Sequence, residues 1–316
     1  MRPLGKIFLY LVLVLLGGSL AAPQAWHLVQ TLPPEWLGGL IAKVQGMPFH
    51  RYFSRSVQVA ALVLIWPLMK SLRVRSLREF GLVPDPRPLR DLGAGIISGL
   101  FGMALFSAVQ LLSGASLLDP AWVADLQKSL PRVLLTATAV SVLEEFLFRG
   151  VLFGFFRQFL SAPLAIILSS IAFAGIHFAG LPADGPSGIP PHWWSGLSMV
   201  GRMIGGLAPT SLTAHAFLIL FTAGVILAWL TIRTGSLWAP VGLHAAWIFG
   251  QQTFNSVAMY FVTPLDSLLP LIGPSQCKGM VPTGLLPFCC LLIAGFLAFL
   301  LLRKREHPPV FAARGF

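Results

Sequence analysis

Long apolar segments constrain the fold of this chain more than any other feature. Of its 316 residues, 56% are hydrophobic and only 10% are charged, whereas a soluble domain carries about 25% charged residues. A helix needs about 20 mostly apolar residues to cross a bilayer. We therefore predict an all-α fold, a polytopic transmembrane helical bundle of about eight spans, at residues 7–23, 57–74, 92–114, 132–156, 162–180, 214–233, 236–256 and 283–302.

The basic residues predict orientation and lipid contacts, and they argue against nucleic-acid binding. The formal net charge is +11, yet Lys and Arg cluster beside the apolar segments and not on a solvated face. With the N-terminus inside, the cytoplasmic side receives more of them than the outside, which is the usual bias of membrane proteins. We expect both termini in the cytoplasm, an uncleaved first span, and anionic lipid head groups as partners.

Polar and proline-rich stretches divide the chain into three predicted parts. Residues 1–91 hold two spans and a proline-broken cytoplasmic linker at 77–91, residues 92–256 form the core, and residues 257–316 hold an interfacial segment, the last span and a basic tail. An extra hairpin or interfacial helix is expected between residues 33 and 56. The outer loop 181–213 carries Trp193 and Trp194, which suit anchoring at the membrane interface, with substrate gating as the alternative.

Three ionised side chains lie within one apolar stretch, namely Glu144, Glu145 and Arg149. A charge at the bilayer centre costs roughly 2.5–3.5 kcal/mol, so such residues usually face the protein interior or water. Glu145 and Arg149 are four residues apart, and on a helix they share a face and can form an ion pair. Glu144 lies about 100° away around the helix axis and remains available as a general base.

Two histidines occupy later apolar segments, His177 in the fifth predicted span and His244 in the seventh. A carboxylate base, one imidazole that shares a water and another that stabilises an oxyanion suffice for amide hydrolysis. The same groups also match a zinc site with one open position, although no HExxH helix is present. Helix–helix hydrogen bonding is the alternative for the histidines, and structural ion pairing is the alternative for Glu145 and Arg149. The three cysteines show neither disulfide nor zinc spacing.

Three motifs follow one another in a fixed order along the chain. They are Glu144-Glu145-Phe-Leu-Phe-Arg149, Phe173-Ala-Gly-Ile-His177, and the run from Phe221 that leads into His244. Together they resemble the family of CAAX proteases and bacteriocin-processing proteins, abbreviated CPBP and also called Abi. The signature of that family is EExxxR, then FxxxH, then HxxxN or HxxxD in a later helix. The resemblance covers about residues 130–255, within the predicted core.

The resemblance implies a glutamic-type intramembrane endopeptidase that cleaves a membrane-anchored protein or peptide and needs no bound metal. It makes Glu144 the base that activates water together with His177, and it makes His244 part of the oxyanion site. The supporting residues that it implies are Glu145, Arg149 and Phe173. The expected location is the bacterial inner (plasma) membrane. The sequence leaves the substrate, the cleavage site and the oligomeric state open.

One position departs from the family signature. Ile248 stands four residues after His244, where the family has Asn or Asp. Losing one oxyanion donor costs about 100- to 1000-fold in turnover. Gln251 lies about 10 Å along the helix axis from His244, and Trp247 is expected to be a packed aromatic. The departure motivates an alternative function, a non-catalytic immunity or scaffold membrane protein of the same family. A proton-coupled transporter would show paired repeats with broken helices, which the sequence lacks.

Overall fold

A computed structural model describes residues 3–72, 87–178, 190–205, 211–260 and 282–302, and this part of the chain is almost entirely helical. Helix α5 runs without a break through a π-helical segment, Phe146–Leu152, into α6. Two short strands, β1 and β2, pair antiparallel with Leu117 opposite Met259. The elements are α1 (Pro3–Gln30), α2 (Trp36–Gln45), α3 (Phe49–Ser71), α4 (Pro88–Leu112), β1 (Ser116–Leu118), α5 (Trp122–Glu145), α6 (Phe153–Phe159), α7 (Ala162–Phe178), α8 (Ser195–Gly205), α9 (Ser211–Thr234), α10 (Trp238–Val257), β2 (Ala258–Tyr260) and α11 (Leu285–Leu301).

The predicted all-α class is confirmed, and the described residues of each predicted span are largely helical. Four helices in the described ranges are long and apolar enough to cross a bilayer by themselves, namely Gly5–Gln30, Phe49–Ser71, Pro88–Leu112 and Ala214–Thr234. Two shorter apolar helices are Ala162–His177 and Leu285–Leu301. The protein is therefore an all-helical integral membrane protein, while the number of segments that cross the bilayer stays a prediction.

The segments between the predicted spans are more helical than their composition indicates. Helix α2 provides the extra helix expected between residues 33 and 56, and it is kinked where residues 37–39 adopt positive φ. Helix α8 lies inside the stretch predicted as an outer loop, because Met199 gives it an apolar face that packs against Ala22 and Phe53. Most of the predicted linker 77–91 and of the interfacial segment after residue 260 lies outside the described residues.

The chain divides into two compact units. The first comprises Met1–Arg75 and Gly175–Ala208, and in it α1 packs against α3 and α8. The second comprises Ser76–Ala174 and Pro209–Phe316, and its core is an apolar cluster from α4, α9, α10 and α11. The two units are defined by which residues lie close together in space. They do not test the boundaries predicted at residues 91 and 256, which stay predictions.

Small residues in the second unit allow α10 to lie very close to α4. A Cβ atom at Gly95 would overlap the backbone of Ala239 and Leu243, and one at Gly99 would come within 2.6 Å of the Ala246 side chain. Such small-residue contacts are how helices approach closely in membranes, where burial of apolar surface gives little driving force. Helix α10 also packs along α5. This second contact brings the polar residues of the two helices together.

Candidate active site

The two glutamates lie at the junction between α5 and the π-helical segment Phe146–Leu152. The backbone stays helical across this junction, with φ −65° and ψ −37° at Glu145. A π-helical turn is rare and is found disproportionately at functional sites. Here it carries Arg149, so that all three charged side chains predicted from the sequence project from one continuous helix.

Glu145 and Arg149 form a fully buried ion pair. The Nη1 atom of Arg149 donates to Oε1 of Glu145 over 2.9 Å, and the side chains are 1% and 0% exposed. This is the ion pair predicted from their four-residue spacing. Burying two charges is costly unless each has a partner, and removing one partner costs about 3–5 kcal/mol. The loss of either residue alone should therefore destabilise the protein, whatever the chemical role of the pair.

His244 of α10 bonds to the same carboxylate oxygen. Its Nδ1 lies 2.8 Å from Glu145 Oε1, which thus accepts hydrogen bonds from both Arg149 and His244. An ionised carboxylate can only accept, so Nδ1 carries the proton and the tautomer of His244 is set by this contact. Within the Glu145–Arg149 ion pair, the buried atoms Glu145 Oε2 and Arg149 Nη2 have no hydrogen-bond partner among the described residues.

Glu144 lies on the other side of the same imidazole. Its Oε2 is 3.9 Å from Nε2 of His244, and its side chain is 16% exposed, whereas that of Glu145 is fully buried. The imidazole therefore stands between two carboxylates with different surroundings. Glu145 is paired with a permanent cation, while the Glu144 side chain is partly exposed, although its Oε2 atom is buried. Adjacent carboxylates with different environments are typical of sites that divide acid and base roles.

Two aromatic rings lie against Arg149 and His244. The guanidinium carbon of Arg149 lies 4.1 Å from the centre of the Phe173 ring, and Phe173 also meets His244 edge to face at 5.8 Å. Phe148, whose ring is 5.3 Å from that of Phe173, completes the enclosure. Phe148 is not among the site residues predicted from the sequence. It sits inside the EExxxR motif, but only the packing against α7 reveals its contact with Phe173.

The remaining predicted residues have mixed outcomes. His177 lies in the last turn of α7 and belongs to the first compact unit, so its pairing with Glu144 stays a prediction. Ile248, the departure from the family signature, is half-buried on α10. Trp247 packs against the apolar core of the second unit, as expected for a packed aromatic. Within the described ranges, no group of three or more His, Cys, Asp or Glu side chains is arranged to hold a metal ion.

Residues 126–250 match a family model described as type II CAAX prenyl endopeptidase Rce1-like. The chain contains an Rce1-like domain. The match begins within α5, ends within α10, and includes every residue of the cluster around His244. No curated protein and no solved structure gives a significant match to the chain.

The Rce1-like domain confirms the resemblance drawn from the three motifs. In general terms it supports a CAAX-type intramembrane protease, a hydrolase embedded in the membrane. It also agrees with the apolar helices, which make the protein an integral membrane protein. The matched residues 126–250 include part of the second compact unit and all of the first unit's second segment, Gly175–Ala208.

Proposed function

We propose that the protein is a glutamic-type intramembrane endopeptidase that hydrolyses a peptide bond in a membrane-anchored protein or peptide. The observation that carries the proposal is the position of the His244 imidazole, 2.8 Å from Glu145 and 3.9 Å from Glu144. A histidine oriented by one carboxylate and facing another provides the proton-transfer groups that amide hydrolysis needs. The Rce1-like domain supports the same reaction class.

In this proposal, Glu144 is the general base. It removes a proton from a water molecule, and the resulting hydroxide attacks the scissile carbonyl carbon. The Glu144 side chain is 16% exposed, although its Oε2 atom is buried, and the proposal requires that water enters from the exposed side. Glu145 and Arg149 do not touch the substrate. They hold His244 in one tautomer and orientation, as a carboxylate does for a histidine in a hydrolytic triad.

The role of His177 rests on the FxxxH motif. In the proposed mechanism it shares the attacking water with Glu144, as the family resemblance implies. His177 follows Phe173 by four residues, and because both lie in α7 they share one face of that helix. We assign no essential metal to this chemistry, and a chelator tests the alternative of a zinc ion held by the same Glu and His residues.

The substrate class follows from the membrane setting of the site. A membrane-anchored protein or peptide diffuses in the bilayer plane and meets a site at bilayer depth, so leader peptides and C-terminal membrane anchors are the proposed substrates. A prenyl group is not required. The proposed location is the bacterial inner (plasma) membrane with both termini in the cytoplasm, where anionic lipids would contact the basic flanks of the spans.

The test uses purified full-length protein in lipid nanodiscs with a library of membrane-anchored peptides. Wild-type protein should release new peptide termini, and Glu144→Gln and His177→Ala should each lower the rate by at least about 100-fold. Glu35→Gln is the matched control, because Glu35 is exposed in the first unit and far along the chain from the motifs. A parallel sample treated with a chelator tests zinc. Full activity of Glu144→Gln contradicts the proposal, and loss of wild-type activity on chelation contradicts its metal-free form.

A second candidate, a non-catalytic immunity or scaffold protein, is favoured by Ile248. An aliphatic side chain at that position cannot donate a hydrogen bond to an oxyanion. In this case the buried network would only stabilise the bundle. Glu144→Gln would then leave a cellular phenotype intact, whereas Glu145→Ala or Arg149→Ala would reduce the amount of folded protein. The protease proposal expects all three variants to lose the phenotype.

A further inference from the structure

Two arginines from different helices meet at one end of α11 in the second unit. Nε of Arg233, in the last turn of α9, donates to the carbonyl oxygen of Leu302 over 2.7 Å, and its Nη2 donates to that of Phe299 over 3.2 Å. Nη2 of Arg90, in the first turn of α4, donates to the carbonyl oxygen of Leu301 over 3.5 Å. Three helix ends therefore meet at Arg90 and Arg233, which we call the basic cluster.

We infer that the basic cluster binds the phosphate of an anionic phospholipid, whose acyl chains lie along α9 and α11. The inference goes beyond a general contact between basic flanks and anionic lipids, because it names one site and the residues that hold the lipid. It is also independent of peptide hydrolysis, since lipid binding at this helix end does not depend on what the protein cleaves.

Capping of α11 does not use the full hydrogen-bonding capacity of the basic cluster. Cations are favoured near a helix C-terminus because the last carbonyl groups lack partners within the helix. A guanidinium has five N–H donors, and the bonds from Arg233 engage two of its nitrogen atoms, Nε and Nη2. Arg90 is exposed and its bond to α11 is long. Both cations can therefore also bind an external acceptor, and phosphate oxygens match the guanidinium fork.

The position of the basic cluster matches the surface of a bilayer. Helices α4 and α9 contain segments that are long and apolar enough to cross a membrane, and α11 is a shorter apolar helix. Helix α4 begins at the cluster, whereas α9 and α11 end there. Asp91, the acidic residue next to Arg90, is buried at 3% exposure, so its carboxylate does not face the lipid. The cluster therefore lies at the depth expected of lipid head groups.

An exposed apolar strip runs from the basic cluster along α9 and α11. The guanidinium carbon of Arg233 lies 4.1 Å from the ring centre of Phe299 and 5.2 Å from that of Trp229. The Phe299 ring stacks on that of Phe296 at 6.2 Å, and Phe296 and Leu300 are 62% and 60% exposed. Because these residues precede the helix ends, the strip extends toward the bilayer interior. A lipid can thus place its phosphate on the cluster and its acyl chains on the strip, whereas a soluble phosphate would use only the cluster.

The experiment measures lipid binding to purified full-length protein in detergent micelles by native mass spectrometry. The protein is titrated with phosphatidylglycerol, which is anionic, and with phosphatidylcholine, which has the same acyl chains but no net charge. Wild-type protein should bind phosphatidylglycerol at least about tenfold more tightly, because each cation near an anionic lipid contributes about 1 kcal/mol, or about fivefold. Arg90→Gln should therefore lower the affinity for phosphatidylglycerol about fivefold and leave phosphatidylcholine binding unchanged.

Arg51→Gln is the matched control, because it removes the same charge from an exposed arginine of the first unit. It should leave phosphatidylglycerol binding unchanged. Equal binding of the two lipids by wild-type protein would overturn the inference. Equal losses in Arg90→Gln and Arg51→Gln would also overturn it, since net charge alone would then account for binding.

A competition experiment distinguishes a lipid from a soluble phosphate. Glycerol phosphate carries a similar anionic group without acyl chains. It should displace bound phosphatidylglycerol only at concentrations at least about 100-fold above that of the lipid, because the buried acyl chains add to the affinity. Displacement at equal concentrations would assign the basic cluster to a soluble phosphate and contradict the lipid site.

Thermal unfolding of the wild-type protein covers the case in which Arg90→Gln does not fold. A ligand that binds only the folded protein raises its unfolding temperature. Phosphatidylglycerol should raise this temperature more than phosphatidylcholine does, and high salt should reduce the difference because it screens the charges at the membrane surface. An equal rise with both lipids, or a difference that salt leaves unchanged, would contradict the inference.

Discussion

Nδ1 of His244 lies 2.8 Å from Oε1 of Glu145, although 99 residues separate them in the sequence. Because the same oxygen accepts a hydrogen bond from Arg149, one buried carboxylate fixes both a cation on its own helix and an imidazole on α10. The ring of His244 thereby directs its second nitrogen toward Glu144. Because one carboxylate holds both groups, substitutions of Glu145 and of Arg149 should have different and measurable effects.

Glu145→Gln should lower the turnover number on amide substrates while leaving KM nearly unchanged. The amide can present its NH₂ group to His244 and so favour the wrong tautomer, and it lacks the negative charge that Glu145 places against the imidazole. The comparable Asp-to-Asn change in a hydrolytic triad costs about 10,000-fold, and we expect a loss of at least about 100-fold. Steady-state kinetics in nanodiscs measure it, with Glu35→Gln as control. An unchanged turnover number would show that Glu145 does not position His244.

Arg149→Met should destabilise the fold, because it leaves the buried carboxylate of Glu145 without its permanent cation. The expected cost is about 3–5 kcal/mol in the free energy of unfolding. Unfolding by denaturant in detergent micelles measures this quantity. Arg202→Met is the matched control, since Arg202 is exposed on α8. The double variant Glu145→Gln with Arg149→Met should recover part of the loss, and simple addition of the two single effects would contradict the buried pairing.

Replacing Phe173 by fluorinated phenylalanines should lower activity progressively with each added fluorine. Fluorine keeps the size of the ring nearly constant but withdraws negative charge from its face, where the Arg149 guanidinium lies 4.1 Å away. A desolvated cation–π contact contributes about 2 kcal/mol. Turnover measured across the series tests whether this contact matters for positioning. If turnover did not change across the fluorinated series but fell in Phe173→Leu, Phe173 would only fill space.

Gly95→Ala should destabilise the second unit, whereas Gly93→Ala should not. The added methyl group at Gly95 would overlap the backbone of α10, while the same group at Gly93 meets no atom within 4 Å. Overpacking of this kind costs about 1–3 kcal/mol, and Ala is otherwise the better helix former. Thermal unfolding of both variants measures the difference. Equal stability of the two variants would contradict the close packing of α4 on α10.

The sequence predicted those features of the site that depend on local periodicity. The hydropathy pattern located the helices, and the four-residue spacing identified the Glu145–Arg149 ion pair. It did not predict that His244 bonds to Glu145, because helical periodicity relates only residues on the same helix. That contact depends on how α10 packs, which is decided by small residues such as Gly95 and Gly99.

Two local features, the π-helical segment and helix α8, also could not be predicted from the sequence. The π-helical segment after Glu145 has no composition signal, since its residues are equally suited to an α-helix. Helix α8 was predicted as loop because Gly and Pro surround it, although its packing against α1 supports a helix. In both cases tertiary contacts override the local propensity.

The most direct test of the central claim is cleavage of a membrane-anchored peptide in water enriched in heavy oxygen, followed by mass spectrometry. The account predicts that wild-type protein yields a new C-terminus carrying one heavy oxygen atom, and that Glu144→Gln yields none while remaining folded. Cleavage by Glu144→Gln at the wild-type rate would contradict the assignment of Glu144 as the base that activates water.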